Sequence, residues 1–485
     1  MKVAVVVAAA ALLAACARPP DVLRPDPDFE IPAAWTADDA ESSEDLLPRD
    51  WWVELGDTEL AAIVEEALAS NYDLQAAVAR LDQALAISRI EGADRYPRLG
   101  ANLDFSRRKQ IFIGFPVEGG TTSSQWGASL DVSWELDLWG RLRARKSAAL
   151  AQIEGARADA LGARLSIAAQ TAKAWFATIE ARDLLALAAE TARSYATSAD
   201  QVRARYERGV RSSLDLRLAL SERAGANALV EARSNQLDSA KRQLETLVGR
   251  YPAGALVGRG ELPELASEVP AGLPVEILAR RPDIALAERN LAAAGARVRE
   301  ARAALFPRLS LIGSRGRVGE KIGDLLEPDL GIWSFAANLT QPLFEGGRLR
   351  GNLELEDARR RETLAAYFKE VLDAYREVES LLATERLLAA RETRLAERAE
   401  QARAARRLAE NRYLSGLEDY ITVLESQRTS LAAQSEWISI RRERLDSRVD
   451  LYLSLGGGFD RAEIRSPLAA GPEPARLTAA RGDRR

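Results

Sequence analysis

Between residues 125 and 138, apolar and polar side chains alternate without a break. Trp126, Ala128, Leu130, Val132, Trp134, Leu136 and Leu138 hold the even positions; Gln125, Gly127, Ser129, Asp131, Ser133, Glu135 and Asp137 hold the odd ones. A period of two puts the two sets on opposite faces of a β-strand. A strand of roughly ten residues, apolar outward, charged inward and with tryptophans near its ends, suits a membrane-spanning barrel. An edge strand of an ordinary antiparallel sheet alternates in the same way. Shorter candidate strands lie at 99–107, 309–316 and 331–341, the last with Trp333, Phe335, Ala337 and Leu339 on its apolar face. In a barrel, Trp126, Leu130, Val132, Trp134, Leu136, Trp333, Phe335 and Leu339 would face lipid.

Almost everything else reads as helix. The pattern predicts helices over 57–95, with Asp57 as N-cap and Pro97 as stop, then 141–208, ended by Gly209, and 212–248, capped by Ser212 or Ser213 and ended by Gly249. Further helices are expected over 282–305, 348–414 and 418–455. At 1.5 Å per residue the 141–208 helix would be ~100 Å long, a length that no compact globule holds. Leu161, Leu165, Ala168, Ala172, Trp175 and Ile179 step by four and three, as do Leu364, Phe368, Val371, Tyr375, Val378 and Leu382. Such seams pack lengthwise, as in coiled coils. The helices 57–95 and 212–248, laid end to end, would match one long partner.

The pattern then repeats. Asp73, Pro97, Arg98 and Leu99 recur 210 positions later as Asp283, Pro307, Arg308 and Leu309. After a shorter loop the offset becomes 207 and stays there: Trp126 with Trp333, Gly140-Arg141-Leu142-Arg143 with Gly347-Arg348-Leu349-Arg350, Arg205-Tyr206 with Arg412-Tyr413, Gly209 with Gly416, and Gly249 with Gly456. The chain is a tandem duplication of a helix–strand–strand–helix–helix unit, with a period too long for a solenoid. The expected layout is a signal segment at 1–15, an extended proline-rich leader at 16–56 and a first unit at 57–249. A proline-rich connector at 250–281, a second unit at 282–458 and a disordered tail at 459–485 complete it.

Composition removes whole classes of chemistry. The chain has no histidine, and its only cysteine is Cys16. The usual general base, the commonest zinc ligand and any intrachain disulfide are therefore missing. A net charge of −5 over 485 residues does not suggest a nucleic-acid partner. The expectation is a protein that is not an enzyme and holds no cofactor. Lys2, the apolar run 3–12 and Leu13-Ala14-Ala15-Cys16 form a secretory signal too short to span a membrane. The ending resembles a bacterial lipoprotein signal, which implies a covalent lipid on Cys16. Ala17 stands where an inner-membrane retention signal usually has Asp, which implies outer-membrane sorting. An ordinary signal peptide ending in small residues is the alternative.

Two strands per unit give four per chain, and open edges cannot be left in lipid. If these strands span a membrane, the chain must share a barrel with its copies; three copies give twelve strands, and two a narrower barrel. Asp131, Glu135 and Asp137 on the inner face would keep the lumen wet.

With Cys16, the duplicated unit, the Arg-Tyr-x-x-Gly turns at 205–209 and 412–416 and the closing Leu455-Gly456-Gly457-Gly458, the chain resembles the TolC/OprM-type outer-membrane efflux channels. The resemblance covers nearly all of the mature chain and implies an α+β membrane protein: a trimeric 12-stranded β-barrel continued by a long α-helical periplasmic barrel. It implies a passive exit duct that serves a periplasmic adaptor and an inner-membrane transporter. It further implies a constriction over 420–428, where Ile421 and Glu425 replace the family's usual Leu and Asp. One turn on, Arg428 is placed to pair with Glu425 of its own or a neighbouring chain and hold the tip shut. The turns at Gly209, Val210, Gly416 and Leu417 become candidate adaptor contacts. Two other readings remain at this point: a duct for type I protein secretion, and a lipid-anchored periplasmic coiled-coil scaffold.

Overall fold

The structure, a computed structural model, describes residues 29–32, 34–37, 48–111, 120–265, 272 and 274–465. The signal segment, Cys16 and residues 466–485 lie outside the described residues. A 3-10 turn (Trp51–Leu55) leads into α1 (Thr58–Ser70), α2 (Tyr72–Ala93), β1 (Arg98–Gln110), β2 (Thr121–Leu136), α3 (Arg141–Glu207) and α4 (Ser213–Val248). The second repeat of the duplication follows as α5 (Ile277–Arg280), α6 (Pro282–Ala303), β3 (Arg308–Gly319), β4 (Gly331–Thr340), α7 (Arg348–Leu414) and α8 (Tyr420–Ser454). α3 and α7 are both 67 residues long and start 207 positions apart, so the duplication is visible in the elements themselves.

The chain divides into two compact units. The first holds Val78–Arg157 and Leu286–Glu370 and contains the whole sheet. Its strands pair antiparallel in the order β1-β2-β3-β4, leaving β1 and β4 as edges. Every helix neighbouring a strand joins at the same end, where Arg98 pairs with Ser133 and Arg308 with Thr340. Below that end α3 and α6 touch through Ala148, Ala151, Ala292, Ala293 and Ala296, small enough for two helices to approach closely. Arg289 and Glu154 form an ion pair there at 2.7 Å, with both side chains about 10% exposed (10% and 11%).

The second unit holds Asp28–Ala77, Ala158–Ala285 and the residues from Val371 on. The α3 seam is its core: Ala168, Ala172, Trp175 and Ile179 are buried. The side chain of Asp57 caps α1 and also accepts from the Trp175 indole at 2.8 Å. On α7, Val371, Val378 and Leu382 are buried.

Two expectations need correction. The helix expected over 57–95 breaks at Asn71. Its side-chain oxygen accepts from the Asp73 and Leu74 N–H groups, and its amide donates to the Leu247 carbonyl at 2.8 Å. The 210-residue counterpart of Asn71 is Arg281, which breaks the second repeat at the same place. Arg281 donates to the Ser454 carbonyl at 2.9 Å, and Ser454 lies 207 positions after Leu247. Both residues satisfy a last-turn carbonyl of the returning helix, which has no partner inside that helix. The tail expected to be disordered over 459–485 is ordered at its start: Ala462–Arg465 form a helical turn, Arg461 donates to the Leu278 carbonyl and Ile464 is buried. Among the described residues no helix is long and apolar enough to cross a membrane.

Candidate functional site

Two regions carry the expected site residues: the sheet and the turns between the long helices. Register fixes the faces of the sheet. Val132 stands between Leu99 and Gly313, which in turn faces Phe335; Leu130 aligns with Ala101, Arg315 and Trp333; Leu136 aligns with Leu309 and Leu339. Trp126 packs its ring on Phe105 at 4.6 Å. All eight residues expected to face lipid therefore share one face. Five of them are exposed, including Trp333 at 80% and Phe335 at 67%, and they are joined there by exposed Leu99 and Leu103.

The opposite face is polar. Asp131 accepts from Asn102 at 2.6 Å and from Ser129 at 2.8 Å, and Glu135 holds Arg141 bidentately at the foot of β2. Asp137 is a correction: it lies beyond the strand and caps α3, accepting from the Leu142 and Arg143 N–H groups.

The Arg-Tyr-x-x-Gly turns are Schellman caps. Gly209 and Gly416 take φ +73° and +78°, the left-handed region that only glycine enters freely. Val210 and Leu417 donate back to the Arg205 and Arg412 carbonyls, both at 2.9 Å. Their side chains are exposed, and those two turns sit side by side. Arg205 donates to the Tyr413 and Leu414 carbonyls and lies 4.6 Å over the Tyr413 ring. Arg211 reaches Asp419 at 3.1 Å and the same ring at 5.2 Å. Tyr413 is buried against Tyr420, whereas its counterpart Tyr206 is 42% exposed.

Along the first turns of α8 one face is buried (Tyr420, Val423, Leu424, Gln427) and the other is open. Ile421 and Glu425 lie on the open face, in a groove of about 470 Å³ shared with Ala402 and Ala405 of α7. Within the chain, Arg428 does not pair with Glu425. It forms an ion pair with Glu222 of α4, which keeps its guanidinium more firmly protonated. The reason is geometric: Glu222 approaches from a neighbouring helix, whereas Glu425 stays exposed on the open face. Behind them Gln427 donates to Ser194, Ser198 and Glu410, and burial, aided by Glu222, pushes the Tyr195 hydroxyl up to about 12. Sequence reasoning missed Glu222 and Arg211; neither stands out without knowing which helices touch.

The family model described as outer membrane efflux protein matches residues 63–250 and 273–457. The chain is 34% identical over 447 residues to outer membrane protein OprJ of Pseudomonas aeruginosa, covering 90% of this chain and 92% of that one. It is 33% identical over 469 residues to the pyoverdine export outer membrane protein OpmQ of the same organism, covering 95% and 97%. Its fold superimposes on the open-state MtrE outer membrane channel of Neisseria gonorrhoeae with TM-score 0.81 and 29% identity, covering 92% of this chain and 99% of that one.

Proposed function

The chain belongs to the outer membrane efflux protein family, and from that premise we propose how its residues build a duct. It is the outer-membrane channel component of a tripartite efflux system, and it catalyses no reaction. Three copies close the barrel, β4 of each chain pairing with β1 of the next, to give twelve strands. One observation carries this: the sheet has two unpaired edges and an exposed apolar face. In lipid each edge must find strand partners, and one chain has none to offer. The scaffold alternative explains neither the edges nor that face.

Asp131 and Glu135 then line a wet lumen, and the long helices extend into the periplasm. The lipid on Cys16 anchors the assembly in the outer membrane. The turns at Gly209, Val210, Gly416 and Leu417 meet the periplasmic adaptor, which links the duct to an inner-membrane transporter; drugs or other small molecules are the cargo. Around a closed ring, turns from the two units alternate. The contact made inside the chain by Arg205 on Tyr413 would recur between chains, Arg412 meeting the partner subunit's Tyr206. Ile421 and Glu425 form the constriction, and the Arg428–Glu222 pair holds α8 against α4 beside it.

Planar-bilayer conductance of the purified protein tests the reading. Wild-type protein should conduct weakly, and Glu425→Ala, Arg428→Ala and Glu222→Ala should each raise conductance. Unchanged, fully open conductance in all of them removes the gate assignment, and no conductance in any form removes the duct.

A further inference from the structure

The apolar face of the sheet has a charge pattern that a water-filled duct does not need. By register, that face of the four strands carries no acidic side chain among the described residues, yet it carries Arg107, Lys109, Arg315 and Arg317. All four lie toward the β1–β2 and β3–β4 hairpin ends, away from the helices. The helix-proximal half of the face, from Leu309 and Leu136 to Leu99 and Phe335, has no charge at all. Arg107, Lys109 and Arg315 make no hydrogen bond or ion pair among the described residues and are exposed. Arg317 donates to the Leu325 carbonyl at 2.9 Å, in the middle of the hairpin loop.

Height matters here. At 3.3 Å per residue, Arg315 and Arg317 lie ~20 and ~26 Å along β3 from Leu309. A strand tilt of ~40° reduces this to ~15 and ~20 Å above the base of an apolar band ~25 Å tall. Cations there are costly unless their long stems carry the charge up to the headgroups. Arg107 and Lys109 stand higher, past the Phe105–Trp126 pair and level with the headgroups. β3 is flanked on both sides by strands of its own chain, so a neighbouring copy cannot supply the counter-charge. In the hairpin loop above, Asp324 is held by the Lys321 N–H.

We propose that Arg107, Lys109, Arg315 and Arg317 form a binding surface for the phosphate groups of the outer-leaflet glycolipid, the phosphorylated lipid A of lipopolysaccharide. Guanidinium groups bind phosphate through paired N–H donors, and a lipid supplies at once the acyl chains for Leu130 and Leu103 and the anions for the cations beside them. The duct is thereby set at a fixed depth in an asymmetric membrane. This rests on the barrel reading above.

The test uses full-length protein in detergent with three probes: bis-phosphorylated, mono-phosphorylated and phosphate-free lipid A, with bound lipid counted by native mass spectrometry. Bis-phosphorylated lipid A should be retained best and the phosphate-free form least. Each cation near an anionic lipid surface is worth about fivefold, so the pairs Arg315→Ser/Arg317→Ser and Arg107→Ser/Lys109→Ser should each weaken retention about 25-fold. Equal retention of all three lipids by wild-type protein overturns the proposal without any variant. So does unchanged retention in variants that still conduct in phosphatidylcholine bilayers. Wild-type protein that discriminates by phosphate but never conducts counts instead against the duct and leaves the lipid surface standing.

Discussion

Asn71 and Arg281 show how duplicated positions keep a task while changing the chemistry. Each breaks a helix and binds a carbonyl at the end of the returning one. Arg281 also pairs with Asp283 and with Glu377 at 2.8 Å. Arg281→Ala should therefore cost about 3 kcal/mol, because it strands a buried carbonyl and two carboxylates. Asn71→Ala should cost about 1 kcal/mol, a lost cap; thermal unfolding midpoints compare them. Asp446 offers a pH test. Burial pushes its carboxyl up from 3.8 to about 6, against Arg442 and Lys173 and with help from Asp450 and Glu180. The folded chain thus holds that proton more tightly than the unfolded chain. Its contribution is fully present below pH ~4 and is lost as pH rises through 6. Asp446→Asn should raise the midpoint at pH 7.5, by the equivalent of about 1–3 kcal/mol, and leave it nearly unchanged at pH 4. Arg442 also reaches Glu180 at 2.5 Å, a contact that the substitution does not remove. A midpoint lowered at pH 7.5 would contradict the assignment.

Elements were legible where the signal is local. The alternation at 125–136, the 67-residue helices and the glycine-ended turns all appear within a few residues of sequence, because period and capping act over one or two turns. The glycine turns can be tested directly. No atom lies within 4 Å of a Cβ added at Gly209 or Gly416, so alanine there meets only backbone strain. Each substitution should cost about 1 kcal/mol and speed amide exchange in its own turn alone. What sequence hid was long-range. Arg428 finds Glu222 206 positions away, where the local candidate was Glu425. The break at Asn71 was masked by helix-forming neighbours, although Asn followed by Asp73 is the pattern of a new N-cap. Only the register sets the cations Arg315 and Arg317 beside Leu130 and Ala128.

At the scale of the whole molecule, one chain brings four strands whose outer two end in unpaired edges, and a face too apolar for water. Family membership says that the chain is an efflux duct; the edges say why it cannot be one alone. The proposed gate and adaptor contacts depend on how copies meet. Native mass spectrometry of the detergent-solubilised protein tests that dependence most directly. The account predicts one species of three chains, lost from solution when detergent is withdrawn. A stable single chain that stays in water without detergent would contradict it.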